Sequence, residues 1–144
     1  MTSAPSKTEV RHLMTPVVQT LGRNDHLTLA DDLMRAQRIR HLPVLDEQGI
    51  VCGVVSQRDL FRGALAKALG YGETAQFKMH SLLLVKEVMS SSVLTIGPHE
   101  PLANAARLML EHKIGCLPVV DGEKLLGILT ETDFVALALE RSEA

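Results

Sequence analysis

Residues 53–60 read GVVSQRDL, and residues 127–134 read GILTETDF. Each stretch opens on glycine, runs through two aliphatic residues to a hydroxyl side chain, skips two positions and reaches aspartate. The phrase recurs because the chain around it recurs. VRHLMTPVVQTL (10–21) lies over VKEVMSSSVLTI (85–96), with Met14 over Met89, an offset of 89 − 14 = 75. At that offset Thr20 meets Thr95, Gly22 meets Gly97, Leu33-Met34 meets Leu108-Met109, and Ile39 meets Ile114. LPVLD (42–46) meets LPVVD (117–121). One residue then drops out, so Gly53, Ser56 and Asp59 meet Gly127, Thr130 and Asp133 at an offset of 74. An ordered match of this length marks two copies of one supersecondary unit.

Each copy reads in the same way. Val17–Leu21 is β-branched and predicts a strand. GRND predicts a turn. From about Thr28 the apolar residues Ala30, Leu33 and Met34 fall on one helical face, as do Ala105, Leu108 and Met109 in the second copy. Asp31 and Asp32 are expected in the first helical turn, where the helix dipole favours them. LPVL predicts a strand whose proline, lacking an N–H, belongs at an edge or a strand start. The turns DEQG and DGE lead to the strands IVCGVVS and KLLGILT, and second helices are predicted at about 57–68 and 131–140. The order is β-α-β-β-α, twice, an α+β fold. The chain divides into an N-terminal tail (1–9), repeat one (10–62), a connector (63–84) and repeat two (85–141). A unit of about fifty residues buries too little surface alone. Two copies packed sheet to sheet with pseudo-two-fold symmetry solve this and leave two equivalent clefts. The connector begins helically and turns to loop at G-Y-G. Its G-x-G-x-x-A follows a helix rather than a strand, so it is not a dinucleotide fingerprint.

S-x-x-D and T-x-x-D at a strand-to-helix junction have two readings. As local structure they are N-caps with an acid in the first turn. As a site, the same position offers free backbone N–H groups to phosphate and a carboxylate to the hydroxyls of a ribose. The glycine preceding each motif lets another group approach the strand closely.

Composition narrows the classes. A net charge of −2 over 144 residues argues against an electrostatic grip on nucleic acid. No Trp, one Tyr and three Phe make the core aliphatic and base-stacking platforms scarce. Cys52 and Cys116 form no C-x-x-C and read as small buried residues. MTSAPSKTEVRH lacks the apolar segment of a secretory signal, and Leu82–Val85 is far too short to span a bilayer, so a cytoplasmic location is expected. No H-E-x-x-H, Cys/His cluster, P-loop or G-x-S-x-G elbow occurs, and the six histidines are scattered. Neither catalysis nor a metal is expected.

VRHLMTP and VKEVMSS at the starts, LPVLD and LPVVD in the middle, and GVVSQRDL and GILTETDF at the ends together resemble a pair of cystathionine-β-synthase (CBS) domains, the Bateman module. The resemblance covers about 10–62 and 85–140. It implies a ligand-sensing module that binds an adenosine derivative (AMP, ADP or ATP, with S-adenosylmethionine as runner-up) in the clefts between the copies, with no cofactor required. It implies that Ser56 and Asp59, and Thr130 and Asp133, hold the ribose or phosphate. The two residues before L-P-V, Arg40 and His41, are implied as phosphate contacts; the second copy has Gly115 and Cys116 there, so the two clefts should differ. Arg58 is a further phosphate candidate, matched by the uncharged Thr132. Thr15, Pro16 and Val18, with Ser91 and Val93, correspond to the stretch lining the adenine side. The resemblance also implies a homodimer, with contact surfaces on the second helices (Leu60, Phe61, Leu65 and Phe134, Leu137, Ala138), and an effector protein that reads the bound state. Two alternatives remain: an interaction scaffold without a ligand, and a thiol-based redox regulator using Cys52 or Cys116.

Overall fold

The computed structural model describes residues 7–16, 19–61 and 83–143. In chain order the elements are α1 (Val10–Leu13), β1 (Thr15–Pro16), β2 (Leu21–Gly22), α2 (Leu27–Gln37), β3 (His41–Leu45), β4 (Val51–Ser56), α3 (described over 57–61), α4 (Val85–Val88), α5 (Leu102–His112), β5 (Cys116–Asp121), β6 (Lys124–Thr130) and α6 (Glu131–Ser142). They gather into two compact units. One is Val18–Val93; the other joins Met1–Val17 to Leu94–Ala144. Fold class is as expected, α+β with one three-stranded sheet in each unit.

In the unit Val18–Val93 the strands run β2-β3-β4, with β2 parallel to β3 and β3 antiparallel to β4. Alternation sends Leu42, Val44 and Val55 inward, where Leu21 from β2 and Leu27, Ala30 and Met34 from α2 meet them. Each of the Leu, Val and Met side chains contributes about 1.5–3 kcal/mol when fully buried. The second unit has the strand order β1-β6-β5. Its core repeats the first position by position: Ile96, Leu102, Ala105, Met109, Leu117, Val119 and Leu129.

The lead segments do not stay with the repeats that follow them in sequence. Val10, at the start of repeat one, is fully buried in the core built by repeat two. Val85, at the start of repeat two, is fully buried in the core built by repeat one. The backbone bonds that seat them match in pairs. Val10 N–H donates to Glu100 O (2.9 Å), Arg11 N–H to Pro98 O (2.8 Å), and Leu102 N–H to Thr8 O (2.9 Å). Val85 N–H donates to Asp25 O (2.8 Å), Lys86 N–H to Arg23 O (2.9 Å), and Leu27 N–H to Leu83 O (3.0 Å).

This exchange explains where the structure departs from the sequence reading. Of the strand expected at Val17–Leu21, residues 17–18 lie outside the described residues and only Leu21 falls in a strand. Thr15–Pro16 pairs with Ile128 and Gly127 in one unit, and Leu21–Gly22 pairs with Val44 and Leu45 in the other. Between them the chain passes from one unit to the next, and β-branched propensity alone forms no ladder without a partner strand. Pro43 lies in the middle strand of its sheet rather than at an edge. It is tolerated there because the short β2 reaches only Val44 and Leu45. Asp31 and Asp32 are not in the first turn of α2, because the helix already begins at Leu27. Asp31 instead accepts from Arg35 Nε at 3.1 Å, one turn on. The second helices begin as expected, at 57 and at Glu131; residues 62–68 of the first, and the connector calls over 63–82, lie outside the described residues.

Among the contact surfaces expected on the second helices, Leu60 and Leu137 are core residues, 4% and 7% exposed. Phe61 and Ala138 are exposed as expected and Phe134 is half-buried, while Val135 and Leu139 add outward apolar surface that the sequence reading did not name; Phe61, Val135 and Leu139 are each at least 60% exposed. Leu65 lies outside the described residues. Among the described residues, no helix is long and apolar enough to cross a membrane.

Candidate ligand-binding site

At the end of β4 the chain turns into α3, and the repeated motif performs the turn. Ser56 N–H donates to Asp59 Oδ2 at 2.8 Å, and Asp59 N–H donates to Ser56 Oγ at 3.1 Å. This reciprocal pair is a capping box, which satisfies two N–H groups that a helix start leaves without partners. The local reading of the motif is therefore realised. It does not exhaust the aspartate: among the described residues only Oδ2 of Asp59 is engaged.

The sheet brings the remaining candidates of this copy to the same corner. His41 pairs opposite Ser56 in the β3–β4 register. Gln57 N–H donates to Arg40 O at 2.8 Å, which fixes the backbone of Arg40 against the first residue of α3. Arg40 and Arg58 are exposed, and neither guanidinium has an ion-pair partner among the described residues. Ser90 closes the other side: Val54 N–H donates to Ser90 O (3.1 Å) and Ser90 N–H to Val54 O (3.0 Å). Ser91 follows, exposed, and Val93 is half-buried. Arg40, His41, Ser56, Arg58, Asp59, Ser91 and Val93 thus all belong to one unit.

The second copy of the motif is built in the same way in the other unit. Thr130 N–H donates to Asp133 Oδ2 at 2.8 Å, and Thr130 Oγ1 donates to the same oxygen at 3.3 Å. Thr15 Oγ1 reaches Asp133 Oδ1 at 3.4 Å. Thr15 and Pro16 come from the lead segment of repeat one, so each site draws on both repeats while lying within a single compact unit. Val18, counted with them from the sequence, lies outside the described residues.

The glycines of the two motifs are required by this crossing. A Cβ on Gly127 would stand 2.7 Å from Thr15 O and 2.9 Å from Met14 Sδ. A Cβ on Gly53 would collide with Met89 Sδ and stand 3.1 Å from Ser90 O. The methionines matched in the repeat are thus the residues that lie on the matched glycines, each on the other repeat's strand.

The electrostatics of the two corners differ. Where the first copy has Arg40-His41, the second has Gly115-Cys116. Cys116 is buried opposite Thr130, and its thiol is pushed up to about 12, first by burial and then by the Asp133 carboxylate. Cys52 is also raised, mainly by burial. Glu131 N–H donates to Gly115 O at 3.2 Å, and Glu131 Oε1 sits where a side chain at 115 would begin, 2.9 Å from that Cβ position. Glu131 was not singled out by motif, although the offset of 74 pairs it with Gln57. Ser90, the counterpart of Thr15 at the offset of 75, belongs to the same Ser90-Ser91-Ser92 stretch that the resemblance sets on the adenine side. An open depression of about 370 Å³ lined by Thr95, Gly97, Glu100, Asn104 and Arg107 holds none of the predicted residues.

Comparison with known proteins agrees with this architecture. The sequence pattern of the CBS domain matches residues 10–66 and 85–140. The CBS domain-containing protein YhcV of Bacillus subtilis is 30% identical over 135 residues, covering 94% of this chain and 89% of that protein. Other relatives are much longer. The chain spans 31% of an uncharacterised Methanocaldococcus jannaschii protein (33% identity) and 23% of the homoserine O-acetyltransferase of Methanococcoides burtonii (31% identity). Among crystal structures, CBSX2 in complex with AMP is 31% identical with a TM-score of 0.73, covering 93% of this chain and 98% of that one. The CBS domain pair of protein MJ0100, in complex with 5-methylthioadenosine and S-adenosyl-L-methionine, is 27% identical with a TM-score of 0.75, over the same shares. With both repeats matched and the whole architecture shared, the chain belongs to the CBS domain family.

Proposed function

We propose that the chain is a regulatory module that binds adenosine-type ligands (AMP, ADP or ATP, with S-adenosylmethionine as runner-up) at its motif corners and signals through a change of conformation or assembly. The observation that carries this reading is the corner at Ser56–Asp59, where a half-engaged carboxylate, a helix start and the Arg40 and Arg58 guanidinia belong to one unit. Asp59 would accept the ribose hydroxyls through Oδ1, and Arg40 would pair a phosphate through its fork of N–H donors. His41, Arg58 and Ser91 would complete the phosphate and adenine sides, with Val93 as an apolar wall. Thr15, Pro16, Thr130 and Asp133 form the second corner. The AMP and S-adenosyl-L-methionine complexes of similar structures support this ligand class. A match to 23% of a homoserine O-acetyltransferase fits a regulatory segment attached to an enzyme better than the enzyme itself.

A ligand shifts an equilibrium only by its differential affinity for the two states. A homodimer joined through Phe61, Val135 and Leu139 would supply such an equilibrium, with an effector protein as its reader. Thermal unfolding in the presence of AMP, ADP, ATP, S-adenosylmethionine and guanine nucleotides tests the ligand class. Ligand at 100 times its Kd stabilises by about 2.7 kcal/mol, roughly 5–10 °C for a chain of this size. A shift with an adenine compound, absent with guanine nucleotides, supports the reading. No shift with any of them returns the motif to a helix cap alone and favours the scaffold reading.

A further inference from the structure

We infer that the two corners sort adenosine derivatives by charge: the Ser56–Asp59 corner takes the phosphate-bearing compound, and the Thr130–Asp133 corner takes an adenosine derivative without phosphate. The inference rests on the proposed ligand class and adds to it a division of labour. The first corner has Arg40 fixed by its carbonyl to the start of α3 and Arg58 inside the motif, against a single carboxylate, Asp59. The second corner has no cation at any corresponding position. Gly115 replaces Arg40, Cys116 replaces His41, and Thr132 replaces Arg58. The buried thiol of Cys116 stays neutral. It adds instead a second carboxylate, Glu131, whose Oε1 occupies the space an Arg at 115 would need. A phosphate there would meet Glu131 and Asp133 with no cation at the positions matched to Arg40, His41 and Arg58, and like charges brought together in a partly desolvated site repel. A neutral or cationic 5′ substituent meets no such penalty. Thr15 Oγ1 holds Asp133 Oδ1, so the carboxylate is already oriented to accept ribose hydroxyls.

Calorimetric titration of the full chain with AMP and with adenosine tests this. Arg40→Ala changes an exposed side chain and should weaken AMP by about tenfold or more, the worth of one charge-assisted contact, while leaving adenosine unchanged. Asp59→Asn should abolish the AMP site and leave adenosine bound; Asp133→Asn should do the reverse, and asparagine keeps a capping oxygen in both. The double variant Glu131→Gln/Thr132→Arg, which gives the second motif the charges of the first and leaves Gly115 in place of Arg40, should strengthen AMP binding at the second corner. Equal loss of AMP and adenosine in Asp59→Asn, or AMP filling both corners of the natural chain, overturns the sorting while leaving the ligand class intact. A natural chain that binds neither compound overturns both.

Discussion

Thr15 and Asp133 are separated by 118 residues of sequence, yet Thr15 Oγ1 lies 3.4 Å from Asp133 Oδ1. The lead segment of repeat one thus reaches the end motif of repeat two. The same relation holds in the other direction through Ser90 and Val54, whose backbones exchange two hydrogen bonds. A corner of this kind cannot form from one repeat alone.

Glycine substitutions should report this crossing with a difference between the copies. Gly127→Ala and Gly53→Ala should each destabilise by about 1–3 kcal/mol, the usual effect of overpacking. At Gly53 the first obstacle is the flexible Met89 side chain, whereas at Gly127 it is the Thr15 carbonyl. Adding Met89→Ala should therefore relieve Gly53→Ala more than Met14→Ala relieves Gly127→Ala. Urea unfolding of the two double-mutant cycles gives the comparison directly.

Removing the caps should have a modest structural effect. Asp133→Ala leaves the Thr130 N–H without its acceptor, and a lost cap costs about 0.5–2 kcal/mol. A fall in Tm of several degrees with an unchanged circular dichroism spectrum is the expected result. Asp59→Ala should cost no more than this, because Asp59 accepts only from Ser56 N–H, whereas Asp133 also accepts from Thr130 Oγ1 and Thr15 Oγ1.

The redox alternative predicts a reactive thiol, and the structure predicts the opposite for Cys116. Its thiol is raised from 9.0 to about 12 by burial and by Asp133, so at neutral pH it carries no thiolate. A thiol reagent should leave Cys116 unmodified in the native chain and modify it on unfolding. The sign of the pH effect follows from the same shift. The stabilisation from keeping this thiol neutral is fully present below pH 9 and is lost as pH rises toward about 12. Cys116→Ala should therefore flatten the alkaline fall in stability, measured by denaturant unfolding between pH 8 and about 11.

Two helices end on left-handed residues that are not glycine, Arg38 (φ 54°) and Lys113 (φ 53°), at equivalent places in the two repeats. The left-handed region costs a side-chain-bearing residue about 1 kcal/mol. Arg38→Gly and Lys113→Gly should be neutral or stabilising, in contrast to glycine placed anywhere inside α2 or α5. Thermal unfolding checks this within a degree or two.

Much of this was legible in the sequence, and the particulars show why. Ala30, Met34, Ala105 and Met109 are buried as the helical period requires, because amphipathic periodicity reports burial directly. The capping boxes followed from S-x-x-D and T-x-x-D, since their partners lie three residues apart. The exchange of Val10 and Val85 was not legible. A repeat shows that two segments are alike, and either copy of a lead segment fits either core equally well by pattern. Of the strand expected at Val17–Leu21, Leu21 alone is seen in a ladder, for the same reason: propensity names a strand but not the sheet that receives it. Glu131 stayed hidden because its role depends on the absence of a side chain at Gly115, a contact that no local motif records.

If the motif corner at Ser56–Asp59 holds the nucleotide, its amides must respond to AMP. The most direct measurement is the backbone amide spectrum of isotope-labelled protein titrated with AMP. The largest shifts are expected at His41, Ser56, Gln57 and Asp59, with Arg40→Ala weakening the titration. Saturable shifts confined to Thr95–Glu111, around the open depression on α5, with Ser56–Asp59 unmoved, would contradict it.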